Sequence, residues 1–312
     1  MSASIKEPAR TGDGVPGGPP VSKAPPRPGG AGRTEGITLN AFSHGFLVLW
    51  AVLIILPLIW LVLGSFKTDT QIGGSALSWP SNWQFDVFGR AWDKGIGDYF
   101  TNTVIVLAFS VPLTMLFGSM AAYVLARYDF PGNRFIYYFF VGGAMFPVFL
   151  ALVPLFFMVK RLDMLNTYQG LILVYVAYSM PFTVFFMHAF FRTLPTAVFE
   201  AAVLDGASHT RAFFQIMLPM AKPGLLSVGI FNVLGQWNQY ILPSVLMQPQ
   251  TGGDPERYVL TQGLIQLQQQ QGYATDLPVL FAGVTIAMIP MLVVYLSFQR
   301  QVQGGLTSAT LK

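Results

Sequence analysis

Six stretches of this chain run without an Asp, Glu, Lys or Arg and are apolar almost throughout: 46–66, 103–126, 135–159, 168–191, 224–246 and 277–298. At 1.5 Å per residue each is about long enough to cross a hydrocarbon core near 30 Å as a helix. The pattern predicts an all-α membrane protein of six transmembrane helices. Pro57, Pro112, Pro147, Pro154, Pro181, Pro243, Pro278 and Pro290 fall inside these runs, so several helices should be kinked, with neighbours satisfying the freed carbonyls. Ahead of the runs, residues 1–40 hold seven Pro and eight Gly and little that could be buried, which predicts a disordered tail. The chain thus divides into that tail, 1–40, and a transmembrane domain, 41–312. The first apolar run begins too late and is too long for the core of a secretory signal.

Between the fourth and fifth runs the pattern changes to a short, mixed elbow, 195–219. Pro195 can occupy a first helical turn, where its missing N–H costs nothing, and Val198, Glu200, Ala201, Ala202 and Leu204 continue that helix into Asp205. Gly206 ends it, Ser208 can cap a second short helix through Phe213, Phe214 and Ile216, and Pro219 after Leu218 should stop that one. Ala201 and Ala202 offer a small-residue face that another surface can approach closely. An even number of spans puts both termini on one side. That side, elbow included, carries twelve Lys/Arg against six on the other, which places the termini and the elbow in the cytoplasm. Of the outer loops, 67–100 mixes aromatics with both charge signs, as suits an ordered lid or docking surface. The other, 248–276, includes Gln266, Gln268, Gln269, Gln270 and Gln271 and reads equally as a solvated linker or as a polar finger touching a partner or a sugar.

Composition settles the class. With 53% hydrophobic and 10% charged residues and a mean hydropathy of +0.52, the chain has too little polar side chain to coat a soluble globule of its size. No cysteine occurs, so there is neither a disulfide framework nor a thiolate metal site. The net charge of +4 does not signal nucleic acid, because the basic residues form no cluster with interleaved aromatics.

Catalytic patterns are absent as well. There is no P-loop, no HExxH and no G-x-S-x-G, and His44, His188 and His209 are scattered. His188 with Ser179 could make a six-span intramembrane hydrolase, but nine residues of helix turn the two side chains to different faces and depths. An ion-coupled carrier would keep a carboxylate inside a span, and none of the runs holds one. What the fifth run does hold is neutral polarity. Asn232, Gln236 and Gln239 are spaced to share one helical face, flanked by Asn238 and Tyr240, with Tyr175, Tyr178 and Ser179 of the same kind in the fourth run. Amides on a water-filled path can replace water around sugar hydroxyls. Buried between helices they are glue worth about 1 kcal/mol per contact. Both readings stand at this point, while Gly118 to Ala122 reads as close helix packing.

The elbow also carries a spacing: Glu200-Ala201-Ala202, three residues, Gly206, nine residues, Ile216, one residue, Leu218-Pro219. This resembles the EAA loop of ABC importer permeases, a cytoplasmic helix that docks into the ATP-hydrolysing subunit. Ser65-Phe66-Lys67-Thr68 with Trp79-Pro80, then Trp237-Asn238, then Gly305-Leu306-Thr307-Ser308, narrow the resemblance to the carbohydrate branch, the maltose-permease G-type subunit, over 46–312. Gln239 stands where that branch usually has Glu, and Ala309-Thr310-Leu311-Lys312 departs from its usual ending. The resemblance implies the type I importer permease fold and a non-catalytic subunit of the cell membrane that takes up a mono-, di- or oligosaccharide. It implies a second permease, two ATPase subunits that hold ATP and Mg, and an extracytoplasmic binding protein, with no cofactor bound by this chain. In that branch Glu200, Ala201, Ala202, Asp205, Gly206, Ile216, Leu218 and Pro219 would couple to the ATPase, and 262–272 would reach the binding protein. General likeness points to an N-acetylated amino sugar such as N-acetylglucosamine or chitobiose. A self-contained secondary carrier and the intramembrane hydrolase are the competing expectations.

Overall fold

The computed structural model describes residues 31–74, 78–248, 257–270 and 276–310, with side chains over 42–74, 78–248, 257–269 and 276–301. Every regular element among the described residues is helical. In chain order these are α1 (Ala31–Gly64), α2 (Asp69–Gly74), α3 (Asp86–Ala91), a π turn (Trp92–Ile96), α4 (Gly97–Arg127), α5 (Asn133–Met145), α6 (Val148–Arg161), α7 (Tyr168–Thr193), α8 (Thr196–Leu204) and α9 (His209–Arg211). There follow a second π turn (Ala212–Met217), α10 (Leu218–Met220), α11 (Lys222–Trp237), α12 (Ile241–Leu246), α13 (Leu260–Gln270) and α14 (Leu277–Thr310). Four stretches, Phe42–Gly64, Asp86–Arg127, Tyr168–Thr193 and Leu277–Gln301, are long and apolar enough to cross a membrane, or up to six if each of two bent helix pairs is one span.

The departures from the apolar runs have local causes. The third run is not one helix: α5 and α6 meet at 103° across Phe146 and Pro147. A residue before proline is pushed out of the helical region, and Phe146 is extended, at φ −77° and ψ 123°. The fifth run ends as a continuous helix at Trp237, passes through Asn238–Tyr240 and resumes only as the six residues of α12. The other bent pair, His209–Met220 and Lys222–Trp237, turns through 78° at its join. Pro112, Pro181 and Pro290 remain inside unbroken helices. Of the expected tail, 1–30 lies outside the described residues, while helix α1 begins at Ala31, beyond the last proline of that segment. Of the Gln-rich loop, Gln266, Gln268, Gln269 and Gln270 fall on α13, while Gln271 lies outside the described residues. That helix is seated by Leu260, Gln262, Gly263 and Leu267, all buried, so this part of the loop is ordered.

Two units meet in sequence at Leu56 and Pro57. In the first, every described side chain, 42–56, is exposed. In the second, α4 and α7 pack most extensively. A Cβ built on Gly118 would lie 2.5 Å from Thr183 Cγ2, so the expected close helix approach is real. Buried clusters sit at the two ends of α4. At one end, Tyr99 packs with Val87, Ile96, Leu260 and Val279. At the other, Tyr123 packs with Phe191, Phe213 and Met217 of the elbow region. Those two tyrosines are about 36 Å apart along a straight helix, so α13 and the elbow belong to opposite ends of α4. Near the first end, Asp276 accepts from Arg90 at 2.9 Å and Lys94 at 3.2 Å, tying the start of α14 to α3 and its π turn.

Candidate functional site

The elbow folds as its residue types require, with two differences from the expectation. Pro195 stands just outside α8 as its N-cap, φ −59° and ψ 125°, rather than inside the first turn. Gly206, at φ +77°, closes α8 in a Schellman arrangement. Its N–H donates to Val203 O and the Ala207 N–H to Ala202 O, both at 3.0 Å. Ser208 caps the second helix by accepting from the Arg211 N–H at 3.3 Å. Pro219 does not stop that helix. It opens the short turn α10 after the π turn, where its missing N–H is not needed, and the run continues to Met220.

Exposure divides the elbow residues. Glu200, Ala201, Asp205 and Pro219 face out, Ile216 and Leu218 are half-buried, and Ala202 is buried. The expected Ala201–Ala202 face is therefore split. Neighbours in sequence lie about 100° apart around a helix, and Ala202 is used against the chain itself. The outward surface is capped instead by Leu204, 88% exposed, beside Val203. In the sequence Leu204 reads as one more helix former, and only its exposure in the fold sets it apart.

The elbow is fixed to the rest of the unit through the end of α4. Arg127 Nη2 donates to Phe191 O and Leu194 O, each at 2.7 Å, and Nη1 to Thr196 Oγ1 at 3.4 Å. The Tyr128 hydroxyl lies 2.9 Å from His209 Nδ1 and 3.3 Å from the Tyr123 hydroxyl. Around these groups the Tyr123 ring packs on Phe213 with centroids 5.0 Å apart, and Tyr128 packs edge-on against Phe199.

A second site lies among α5, α7 and α11. A cleft of about 390 Å³ is walled by Gly143, Ala144 and Phe146 at the α5 break, by Tyr175, Tyr178, Ser179 and Phe182 of α7, and by Phe231, Asn232, Gln236 and Gln239 at and beyond α11. The predicted polar face is thus gathered, but its members differ in use. Asn232 Nδ2 donates to Thr183 Oγ1 at 2.9 Å and to Val228 O at 3.1 Å. Gln236 accepts from the Ser110 hydroxyl and donates to Ser179 Oγ at 3.1 Å. Both are buried and join α11 to α7 and to α4, Asn232 reaching Met115 Sδ at 3.4 Å. Gln239 is half-buried at the edge, and its amide makes no hydrogen bond among the described residues. Tyr178 is 49% exposed into the same space. Asn238 is not part of the cleft: its Nδ2 turns back to Leu234 O at 2.8 Å.

The competing chemistries find no support in this geometry. Ser179 is engaged by Gln236, while the His188 ring lies over Tyr137 with centroids 4.2 Å apart, so no Ser–His pair forms. No Asp, Glu, Lys or Arg lines the cleft among the described residues. It can hold a neutral solute that offers hydroxyls or amides to Gln239 and flat apolar faces to the rings.

Residues 114–307 match the family model described as binding-protein-dependent transport system inner membrane component. The chain is 48% identical over 273 residues to the diacetylchitobiose uptake system permease protein NgcG of Streptomyces coelicolor, covering 87% of this chain and 89% of that one. It is 31% identical to the trehalose transport system permease protein SugB of Mycobacterium tuberculosis, covering 84% and 97%. Among solved structures, a bacterial ABC transporter involved in import of the acidic polysaccharide alginate superposes with a TM-score of 0.74 at 22% identity, covering 88% of this chain and 99% of that one.

Proposed function

Because this chain belongs to the inner membrane components of binding-protein-dependent transport systems and is the non-catalytic permease subunit of an ABC sugar importer, we propose that its cargo is an N-acetylated amino sugar of the diacetylchitobiose class, passed along the cleft beside α5, α7 and α11. The observation that carries this reading is an uncharged wall of rings with one amide, Gln239, left over for a ligand. Aromatic faces suit the apolar faces of pyranose rings, and a primary amide can both donate to and accept from an acetamido group. Identity of 48% to a diacetylchitobiose uptake permease supports the class. In proteoliposomes holding the assembled importer, labelled diacetylchitobiose should enter with ATP and be outcompeted poorly by sugars without acetamido groups. Gln239→Ala should cut its uptake about tenfold, the cost of about 1.4 kcal/mol from a lost hydrogen bond. Indifference of uptake to Gln239→Ala, together with equal competition by plain disaccharides, would sink the cargo assignment.

ATP hydrolysis occurs in partner ATPases, and a binding protein delivers the sugar. On our reading a second, different permease completes the path, two ATPase subunits hold ATP and Mg, and the elbow with both termini faces the cytoplasm. The outward residues Glu200, Ala201, Leu204 and Asp205 form the docking surface. Glu200 pairs there with a basic residue, and Gly206 holds the turn. Glu200→Ala should lower sugar uptake and binding-protein-stimulated ATPase together. Gly206→Val, a β-branched residue at φ +77°, should do so more severely. Normal values of both rates in both variants would remove the coupling role. Sidedness is read by a membrane-impermeant thiol reagent on Leu204→Cys, which should react only from the cytoplasmic side.

A further inference from the structure

We infer that Arg127 is the positioning residue that joins the docking elbow to the two most closely packed membrane helices, so that a displacement of the elbow moves α4 and α7 as a pair. This inference rests on the elbow being the ATPase docking surface. At the end of α7 one nitrogen of Arg127 donates to Phe191 O, which the Leu194 N–H already reaches at 3.3 Å, and to Leu194 O of the C-cap, both at 2.7 Å. The other terminal nitrogen reaches Thr196, the first residue of α8. One planar guanidinium therefore clamps the end of α4, the end of α7 and the start of the elbow. A lysine ammonium, a point donor on a flexible stem, cannot reproduce that fork.

The second arm of the elbow is held by the next residue of the same helix end. Tyr128 hydrogen-bonds His209, the first residue of α9, and Tyr123 one turn earlier packs on Phe213. Both arms thus end on the last turns of α4. About 26 Å up that helix, Ser110 donates to Gln236, which in turn holds Ser179 of α7 on the wall of the cleft. A pull on the elbow is delivered along α4 to the side chains that shape the sugar path. A mere helix cap would have no need to touch three elements.

The decisive quantity is sugar moved per ATP hydrolysed, since a purely structural role would change the yield of complex but not this ratio. In proteoliposomes with ATPase and loaded binding protein, Arg127→Lys should lower the ratio about tenfold, within the usual range of coupling between sites. A wild-type ratio in whatever complex assembles overturns the inference. Should Arg127→Lys fail to assemble, the double variant Arg127→Cys, Thr196→Cys decides, because the chain has no cysteine of its own. Bridging the two thiols with a short bis-methanethiosulfonate reagent should restore the ratio, and a reductant should remove it again. A ratio indifferent to bridging overturns the inference. Arg127→Lys normal beside an impaired Glu200→Ala would sink the joint and keep the docking surface, whereas both normal would remove the docking surface itself.

Discussion

Gly118→Leu should leave little folded permease in the membrane. Between helices in lipid there is no hydrophobic drive to bring them together, so close van der Waals packing and interhelical hydrogen bonds hold the pair. At Gly118 that packing is at its limit, with an added Cβ 2.5 Å from Thr183 Cγ2 and 3.0 Å from Thr183 Cβ. Thr183 cannot easily turn aside. It is β-branched, its hydroxyl donates to Ser179 O at 2.9 Å, and the same oxygen receives Asn232. Gly118→Ala alone should cost about 1–3 kcal/mol by overpacking, and Leu more. The mechanism makes a sharper forecast. Thr183→Ser removes the offending methyl and keeps the hydroxyl, so the pair Gly118→Ala, Thr183→Ser should regain most of what Gly118→Ala loses. Thermal unfolding in detergent of the four proteins of that cycle is the measurement. Strict additivity, or a stable Gly118→Leu, would show that α4 and α7 do not touch there.

Leu204→Asp should abolish transport with a well-folded chain. Leu204 is 88% exposed at the tip of α8, next to the outward Ala201 and Glu200, so its removal costs the isolated subunit almost nothing. Central apolar anchors of protein interfaces are worth about 2–4 kcal/mol when truncated. If the elbow docks as proposed, a carboxylate at this position must also be stripped of water. The docking equilibrium should therefore shift by roughly 30- to 1,000-fold, enough to empty the interface of ATPase at ordinary concentrations. Co-purification of the ATPase and uptake should fall together, while the thermal midpoint of the isolated subunit stays put. Full retention of ATPase by Leu204→Asp would mean that the elbow docks through another face.

The contrast between these two positions shows what could be read in advance. Small residues at Gly118 to Ala122 announce close packing, because nothing but another helix benefits from a missing side chain inside a membrane. Leu204 announced little, because the pattern of an amphipathic elbow does not say which of its apolar residues its own bundle consumes. Ala201 and Ala202 look alike in sequence and differ in the fold for the same reason. The elbow's turn was legible, since Gly206 and Ser208 are chosen by backbone geometry within a few residues. The break at Phe146 was less so: apolar content is blind to whether Pro147 bends a helix or divides it, and residues at the division line the cleft. The shared face of Asn232, Gln236 and Gln239 follows from helical spacing alone. Which of them is already occupied depends on Ser110, Thr183 and Ser179, brought in from distant helices. Arg127 was invisible as a functional residue because its principal partners are carbonyl oxygens 64 and 67 residues away, which carry no side-chain signature.

The division between α5 and α6 has one more effect. A helix that stops leaves its last carbonyls to find amide partners outside the regular ladder. Here the Phe146 N–H turns back to Gly143 O at 3.3 Å, Pro181 of α7 lies 3.3 Å from where a Cβ on Gly143 would stand, and Gly143 and Ala144 border the cleft. A side chain longer than hydrogen at Gly143 would press on Pro181, so the glycine is what lets the broken helix and α7 stand as adjoining walls.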